Sequence, residues 1–132
     1  MEVVGLRYSP DGHSIADIEV DDDDKRILVI RNAETGEPAK SFAMPAGFSF
    51  PWNSSQWILR WTPDGRTLTY ALWRGEGSPT NLWSQPVAGG PPRQITNFPD
   101  EIIAYDWSPD GKQLAYTRSA STRDVVLISN FR

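Results

Sequence analysis

Three copies of one tight-turn sequence constrain the fold of this chain more than any other feature. The copies are Ser9-Pro10-Asp11-Gly12, Thr62-Pro63-Asp64-Gly65 and Ser108-Pro109-Asp110-Gly111, at spacings of 53 and 46 residues. The Ser or Thr hydroxyl caps the backbone, Pro fixes φ at the second turn position, Asp suits the third, and Gly takes the positive φ that ends the turn. We therefore predict a repeat protein in which each unit begins with a hairpin.

An aromatic residue precedes each turn, at Tyr8, Trp61 and Trp107, and runs with strand character flank it. Eleven Pro and ten Gly leave little room for helices, and no long stretch has the apolar period of a helix. Six Trp, four Tyr and five Phe supply large side chains for packing between sheets. The sequence predicts an all-β domain.

The repeat spacing is close to the length of one four-stranded blade of a β-propeller. Aligned on the turns, the chain predicts a partial β-propeller of about three four-stranded antiparallel blades, at residues 1–44, 57–98 and 102–132. The last of these has room for three strands only. Tyr8, Trp61 and Trp107 occupy equivalent positions, so all three are predicted to be buried between blades.

Two stretches carry a resemblance to a known family. Residues 105–116 (YDWSPDGKQLAY) and 89–98 (GGPPRQITNF) resemble the WD-like repeats of TolB-type β-propellers. The ending at residues 124–131 is similar to the C-termini of bacterial signalling proteins, in which such a propeller follows a Ser/Thr kinase or a winged-helix regulator domain. The resemblance implies a non-catalytic module that binds a protein, peptide or small ligand, in the bacterial cytoplasm or periplasm. Since propellers of this type close with about six blades, it also implies blades upstream of this chain.

A second interpretation comes from a different class, an accessory propeller of a prolyl-oligopeptidase-like hydrolase. The chain contains no Gly-x-Ser-x-Gly elbow and no kinase motif. His13, the single histidine, follows a turn glycine where the other repeats have Arg66 and Lys112, which indicates a solvated turn position. We predict that these residues are not an enzyme, although a full-length parent could carry a kinase domain.

Charge and composition argue against several other functions. The net charge is −4, which equals the contribution of Asp21 to Asp24, and no basic surface for nucleic acid is apparent. There is no transmembrane run, signal-peptide pattern or cysteine. The turn aspartates recur because the turn recurs, and the acidic run 21–25 lacks the spacing of a calcium loop, so no cofactor or metal is predicted. That run also matches the enteropeptidase recognition sequence, which we interpret as a coincidence or as an introduced cleavage site.

The predicted loops divide between two faces of the propeller. Residues 21–25, 45–56, 75–80, 98–101 and 119–123 share one face and vary in length and composition, whereas the opposite face has the tight turns. Any binding is expected on the variable face. Its candidate residues are Phe48, Phe50 and Trp52 in the long link between blades, with Asp22 and Asp23 in the acidic loop. The alternative is that this link only covers an exposed sheet edge.

The open ends of the arc carry one more expectation. Each repeat buries its faces against its neighbours, so an arc that is not closed leaves an apolar flank and an unpaired strand edge at each end. The chain is therefore expected to self-associate through these edges, with non-specific aggregation as the competing outcome.

Overall fold

The structure, a computed structural model, describes residues 2–50, 59–75, 77–118 and 125–129. Within these ranges every regular element is a strand. The strands are β1 (Glu2–Tyr8), β2 (Ser14–Val20), β3 (Arg26–Asn32), β4 (Pro38–Ala43), β5 (Leu59–Trp61), β6 (Thr67–Leu72), β7 (Asn81–Pro86), β8 (Arg93–Gln94), β9 (Ile102–Trp107), β10 (Gln113–Arg118) and β11 (Val125–Ser129).

The strands form three antiparallel sheets in chain order. Sheet 1 has the order β1-β2-β3-β4, sheet 2 the order β5-β6-β7-β8, and sheet 3 the order β9-β10-β11. The predicted all-β class with blades of four, four and three strands is confirmed. No helix in the described part of the chain is long and apolar enough to cross a membrane.

The repeated turn forms the same hydrogen bonds in every sheet. In the first copy the Ser9 hydroxyl donates to Asp11 Oδ1 at 2.6 Å, and this oxygen also accepts the His13 backbone N–H at 2.9 Å. The first bond recurs from the Thr62 hydroxyl to Asp64 at 2.7 Å, and from the Ser108 hydroxyl to Asp110 at 2.6 Å. The turn aspartates are therefore structural in all three copies.

Each sheet has two faces, which we name by the aromatic residue before the turn. The leading face carries that residue and the trailing face carries its chain neighbours. Cross-strand pairs place Trp61 with Leu68 on the leading face of sheet 2, and Arg60 with Thr69 on its trailing face. Residues of all three sheets join one buried core, which includes Ile18, Leu28, Leu68, Leu82 and Leu114.

The leading face of one sheet packs on the trailing face of the sheet before it. Trp61 Nε1 donates to the Arg7 carbonyl oxygen of sheet 1 at 3.2 Å, and Trp107 Nε1 donates to Thr69 Oγ1 of sheet 2 at 3.2 Å. The first strands β1 and β5 are in contact. The three sheets therefore stack side by side with their first strands on the same side.

One burial prediction is wrong. Tyr8 is 63% exposed, whereas Trp61 and Trp107 are half-buried against the core. The reason is positional, because the aromatic residue before the turn is covered by the preceding sheet, and no described sheet precedes sheet 1. The position in the repeat determines which way the side chain points. Whether the side chain is buried depends on an adjacent sheet that covers it.

Candidate functional site

A cavity of about 670 Å³ lies where the acidic loop of sheet 1 meets the start of the link to sheet 2. Both segments belong to the face on which the sequence predicts binding. The lining consists of Asp23, Asp24, Lys25, Arg26, Ile27, Ala43, Met44, Pro45, Ala46, Gly47, Phe48 and Ser49. Apolar side chains and charged groups of both signs thus surround one space.

The first residue of the acidic loop 21–25, Asp21, holds the loop in shape through its side chain. Asp21 Oδ1 accepts the backbone N–H groups of Asp23 and Lys25, each at 2.9 Å. Asp24 sits at φ 61°, in the left-handed region that Asp tolerates better than most residues. The loop therefore has a defined shape, and its residues 21–25 are exposed.

Arg26 joins the two walls. Its side chain is only 14% exposed, Nη2 donates to Asp24 Oδ1 at 2.9 Å, and Nη1 donates to the Phe48 carbonyl oxygen at 3.1 Å. The guanidinium also lies 4.9 Å from the centre of the Phe50 ring. A cation over an aromatic face is attracted by the ring quadrupole. Arg26 therefore connects the acidic loop to the link.

Phe48 is held on two sides. The Arg74 guanidinium lies 4.4 Å from the centre of its ring, and Trp83 meets it edge to face with ring centres 5.3 Å apart. The backbone of the next residue, Ser49, pairs with Trp73 of sheet 2 through two hydrogen bonds, at 2.9 and 3.0 Å. These contacts anchor the link against sheet 2, so that one edge of the cavity is packed in place.

The structure brings together some of the candidate binding residues and separates others. Phe48 and Asp23 line the same cavity. Phe50 lies beside it under Arg26 and packs against the core, while Asp22 is exposed and outside the lining. Trp52 falls outside the described residues.

Sequence reasoning did not single out Arg26, Arg74 or Met44. Arg26 directly follows the acidic run, and this adjacency was the available signal for it. Arg74 and Met44 carry no local pattern. Met44 lines the cavity and Arg74 contacts the Phe48 ring only because of how two sheets and a link pack in three dimensions.

Among the described residues, the ionisable groups with a shifted pKa lie outside the cavity lining. Burial raises the pKa of Tyr105 and of Tyr70, so both phenols stay neutral in the core. Burial and, next, the charge of Arg60 lower the pKa of Arg7. Among the described residues, no group of three or more His, Cys, Asp or Glu is arranged to hold a metal ion.

The sheet order and the stacking of leading on trailing faces define successive blades of a β-propeller. Known proteins with this fold support the assignment. A structure assigned as TolB from Agrobacterium tumefaciens superposes with a TM-score of 0.68 at 20% identity, over 95% of this chain and 42% of that one. A prolyl endopeptidase structure gives a TM-score of 0.66 at 19% identity, over 97% of this chain and 20% of that one.

Two relatives are similar in sequence. The uncharacterized peptidase YuxL of Bacillus subtilis (strain 168) is 30% identical over 129 residues, which is 96% of this chain and 19% of the relative. The Tol-Pal system protein TolB of Alcanivorax borkumensis is 36% identical over 59 residues, 45% of this chain and 13% of the relative. The chain thus spans less than a fifth of the length of either relative. No protein-family model matches it.

Proposed function

We propose that this chain is a non-catalytic part of a β-propeller that binds a short peptide in the cavity between the acidic loop and the link. The observation that carries the proposal is the mixed lining of that cavity, with Ile27, Met44 and Phe48 beside exposed charged groups. Ligand sites are concave and largely apolar, with a few polar groups that fix the orientation of the ligand.

The charges of the acidic loop favour a basic ligand. Asp21 to Asp24 place four carboxylates next to Lys25 and Arg26, and Arg26 is already engaged by Asp24 and the Phe48 carbonyl. A peptide with one aromatic and one basic side chain matches this arrangement. Its ring would lie against the apolar wall, and its ammonium near Asp23.

Two capped peptides test this proposal, Gly-Phe-Lys and Gly-Phe-Glu, by isothermal titration calorimetry at low ionic strength. We expect saturable binding of the first, and at least tenfold weaker binding of the second. An Ala46→Trp exchange fills the cavity and an Asp23→Lys exchange reverses the loop charge, so each should abolish the preference. Ala88→Trp and Glu34→Lys make the same changes on exposed turns of the opposite face and should leave binding unchanged. Equal binding in all variants would exclude the cavity.

A second candidate function is an accessory propeller of a peptidase. The observation in its favour is the 30% identity to the peptidase relative over nearly the whole of this chain. The two proposals are compatible, because a propeller joined to a peptidase would lie near the peptides that the enzyme cleaves. The link to a kinase or a winged-helix regulator stays a prediction from the C-terminal sequence.

This second candidate predicts that the chain can replace its counterpart in the peptidase relative. A hybrid carrying the aligned part of this chain in place of the matching segment of the relative should fold and cleave the substrates of the parent peptidase. The isolated chain should show no turnover of a casein digest. Turnover that disappears on replacing His13 would contradict the non-catalytic assignment.

A further inference from the structure

The first strands of the three sheets carry a charged residue at one equivalent position, directly before the aromatic residue of each repeat. The residues are Arg7 in β1, Arg60 in β5 and Asp106 in β9. The sheets converge along these strands, since β1 and β5 are in contact. In a propeller the side on which the blades converge faces the central channel. The three charged residues therefore belong to the channel side of the stack.

Arg7 has hydrogen-bond donors that the described residues do not use. Its Nη1 donates to the Leu6 carbonyl oxygen at 3.1 Å, while its Nε is buried and has no hydrogen-bond partner in the described part of the chain. A guanidinium presents its N–H donors in a planar fork and is always charged. Because a buried donor without an acceptor is costly, an acceptor that binds Arg7 would stabilise this position.

Arg60 places a second positive charge beside the first. Its side chain is only 18% exposed, and arginine is seldom buried unless it is paired. Burial lowers the pKa of Arg7, and the charge of Arg60 lowers it further, so the two guanidinium groups are close enough to repel each other. An anion bound beside both groups would relieve this repulsion.

Asp106 balances only one of these two charges. Its Oδ1 lies 3.7 Å from Arg60 Nε and also accepts the Trp107 backbone N–H at 2.9 Å, and its side chain is 75% exposed. Two guanidinium groups and one carboxylate leave an excess of one positive charge. A single further carboxylate neutralises this excess, whereas a doubly charged phosphate would exceed it. Arginine pairs with carboxylates through two parallel hydrogen bonds, which adds specificity.

The two arginines lie within the series of sheets rather than at its ends. Sheet 2 packs on the face that carries Arg7, and sheet 3 packs on the face that carries Arg60. Their proximity is therefore set by contacts between the described sheets, and it does not depend on what precedes or follows this chain.

We propose that Arg7 and Arg60 form a binding site for one carboxylate group on the channel side of sheets 1 and 2. Both residues lie one position before the end of their strands, β1 and β5, and directly precede the repeated turns. The site is therefore near the turn face, on the opposite side of the propeller from the cavity beside the acidic loop. Its ligand is an anionic group, whereas that cavity favours a basic one.

Three short peptides without a free amino group test this proposal: acetyl-Ala-Ala with a free C-terminal carboxylate, its C-terminal amide, and acetyl-Ala-Glu-amide. Titrations at low ionic strength are followed by the side-chain Nε–H signals of Arg7 and Arg60 in NMR spectra. We expect saturable shifts of both signals with the free acid, at about millimolar dissociation constants, and none with the amide. Similar shifts with acetyl-Ala-Glu-amide would show that a side-chain carboxylate is also a ligand, and their absence would identify the chain terminus.

Substitutions at the three positions should change the affinity in opposite directions. Arg7→Gln and Arg60→Gln should each weaken binding of the free acid by about tenfold, because each removes a charged donor. Asp106→Asn removes the competing carboxylate and should strengthen binding by about threefold or more. Since Asp106 is mostly exposed, this variant should fold even if an arginine variant does not. Arg93→Gln, which removes an exposed positive charge from β8, is the matched control and should bind as the wild-type chain does.

Several results would overturn the proposal. These are equal binding of the free acid and the amide, unchanged binding in folded arginine variants, weaker binding in Asp106→Asn, or tighter binding of inorganic phosphate than of the free acid. Ala46→Trp fills the cavity beside the acidic loop and should leave carboxylate binding unchanged. The carboxylate site and the cavity are therefore tested separately.

Discussion

Trp61 Nε1 donates a hydrogen bond of 3.2 Å to the carbonyl oxygen of Arg7, from the first strand of sheet 2 to the first strand of sheet 1. The bond spans 54 residues of sequence and satisfies the indole N–H at the contact between two sheets. Trp107 repeats the same direction of contact one sheet later, with Thr69 as its acceptor.

Because Trp61 packs on the sheet before it and Tyr8 does not, the same substitution at the two positions should change the free energy of unfolding by different amounts. Trp61→Ala should lower the free energy of unfolding by about 3 kcal/mol, because it removes packing between two sheets. Tyr8→Ala should change it by less than about 0.5 kcal/mol in the monomer, since the side chain is mostly exposed. Urea unfolding followed by tryptophan fluorescence and circular dichroism measures both. Equal losses would mean that Tyr8 is covered in solution.

A buried hydroxyl should make a measurable contribution between sheets 2 and 3. Thr69 Oγ1 and the Tyr105 hydroxyl are 3.0 Å apart, and both residues are buried. Thr69→Val keeps the shape of the side chain but removes this bond, the one from Trp107 and the one that Thr69 Oγ1 donates to the Arg60 carbonyl oxygen. We expect a loss of about 1 to 3 kcal/mol in the free energy of unfolding.

The control for this substitution is Thr67→Val, the same chemical change at a half-buried position of the same strand. It should cost clearly less. A double-mutant cycle with Tyr105→Phe isolates the pairwise energy between the two hydroxyls. A coupling energy near zero would contradict the assigned bond.

The ion pair on sheet 1 should be costly to break on one side. The Asp17 side chain is 2% exposed and the Arg31 side chain 24%. Arg31→Ala leaves the carboxylate in a buried position, and we expect a loss of about 2 kcal/mol, reduced by the partial access of water. Asp106→Ala alters an ion pair in which the carboxylate is 75% exposed, and should cost less than about 0.5 kcal/mol. Chemical denaturation at pH 7 separates these outcomes, and equal costs would contradict the burial of Asp17.

The turn aspartates should make stability depend on pH in the acid range. The Arg66 backbone N–H and then the Thr62 hydroxyl hold the pKa of Asp64 below its ordinary value of 3.8, and bonds from Ser9 and Ser108 lower the pKa of Asp11 and Asp110 in the same direction. Because the folded pKa is depressed, the stabilisation is fully present above pH 3.8 and is lost as the pH falls through the folded pKa. Unfolding midpoints between pH 7 and pH 2 should therefore decline below about pH 4.

Asp64→Asn provides the matched test, since it keeps an acceptor oxygen but does not titrate. Its midpoint should change less with pH below 4 than that of the wild-type chain. Glu34→Gln removes one exposed carboxylate outside these turns, and should retain the wild-type slope. An unchanged slope in Asp64→Asn would show that the turn bonds do not favour the ionised form.

The fold was largely predictable because the turn is a local device. Ser, Pro, Asp and Gly in that order specify the backbone conformation and hydrogen bonds of the turn. The strand-like pattern on either side predicts the two strands that the turn joins. The exposure of Tyr8 was not predictable from the same alignment, because the position says which way a side chain points and not whether another sheet covers it.

The candidate site was predictable only in outline. Variable loops on one face indicated where to look, and Phe48 and Asp23 do line one cavity. Arg26 and Arg74 act through contacts of their guanidinium groups with aromatic rings of the link. The spacing of residues in the sequence does not predict such contacts. Residues that act through tertiary packing leave little local pattern.

Amide chemical-shift mapping during titration with the capped Gly-Phe-Lys peptide tests the central claim most directly. We expect the largest saturable changes in residues 23–27 and 43–49, with little change at the turns that contain Asp11, Asp64 and Asp110. Changes centred on those turns, or no saturable change at millimolar peptide, a range that corresponds to about −4 kcal/mol of binding free energy, would contradict binding in this cavity.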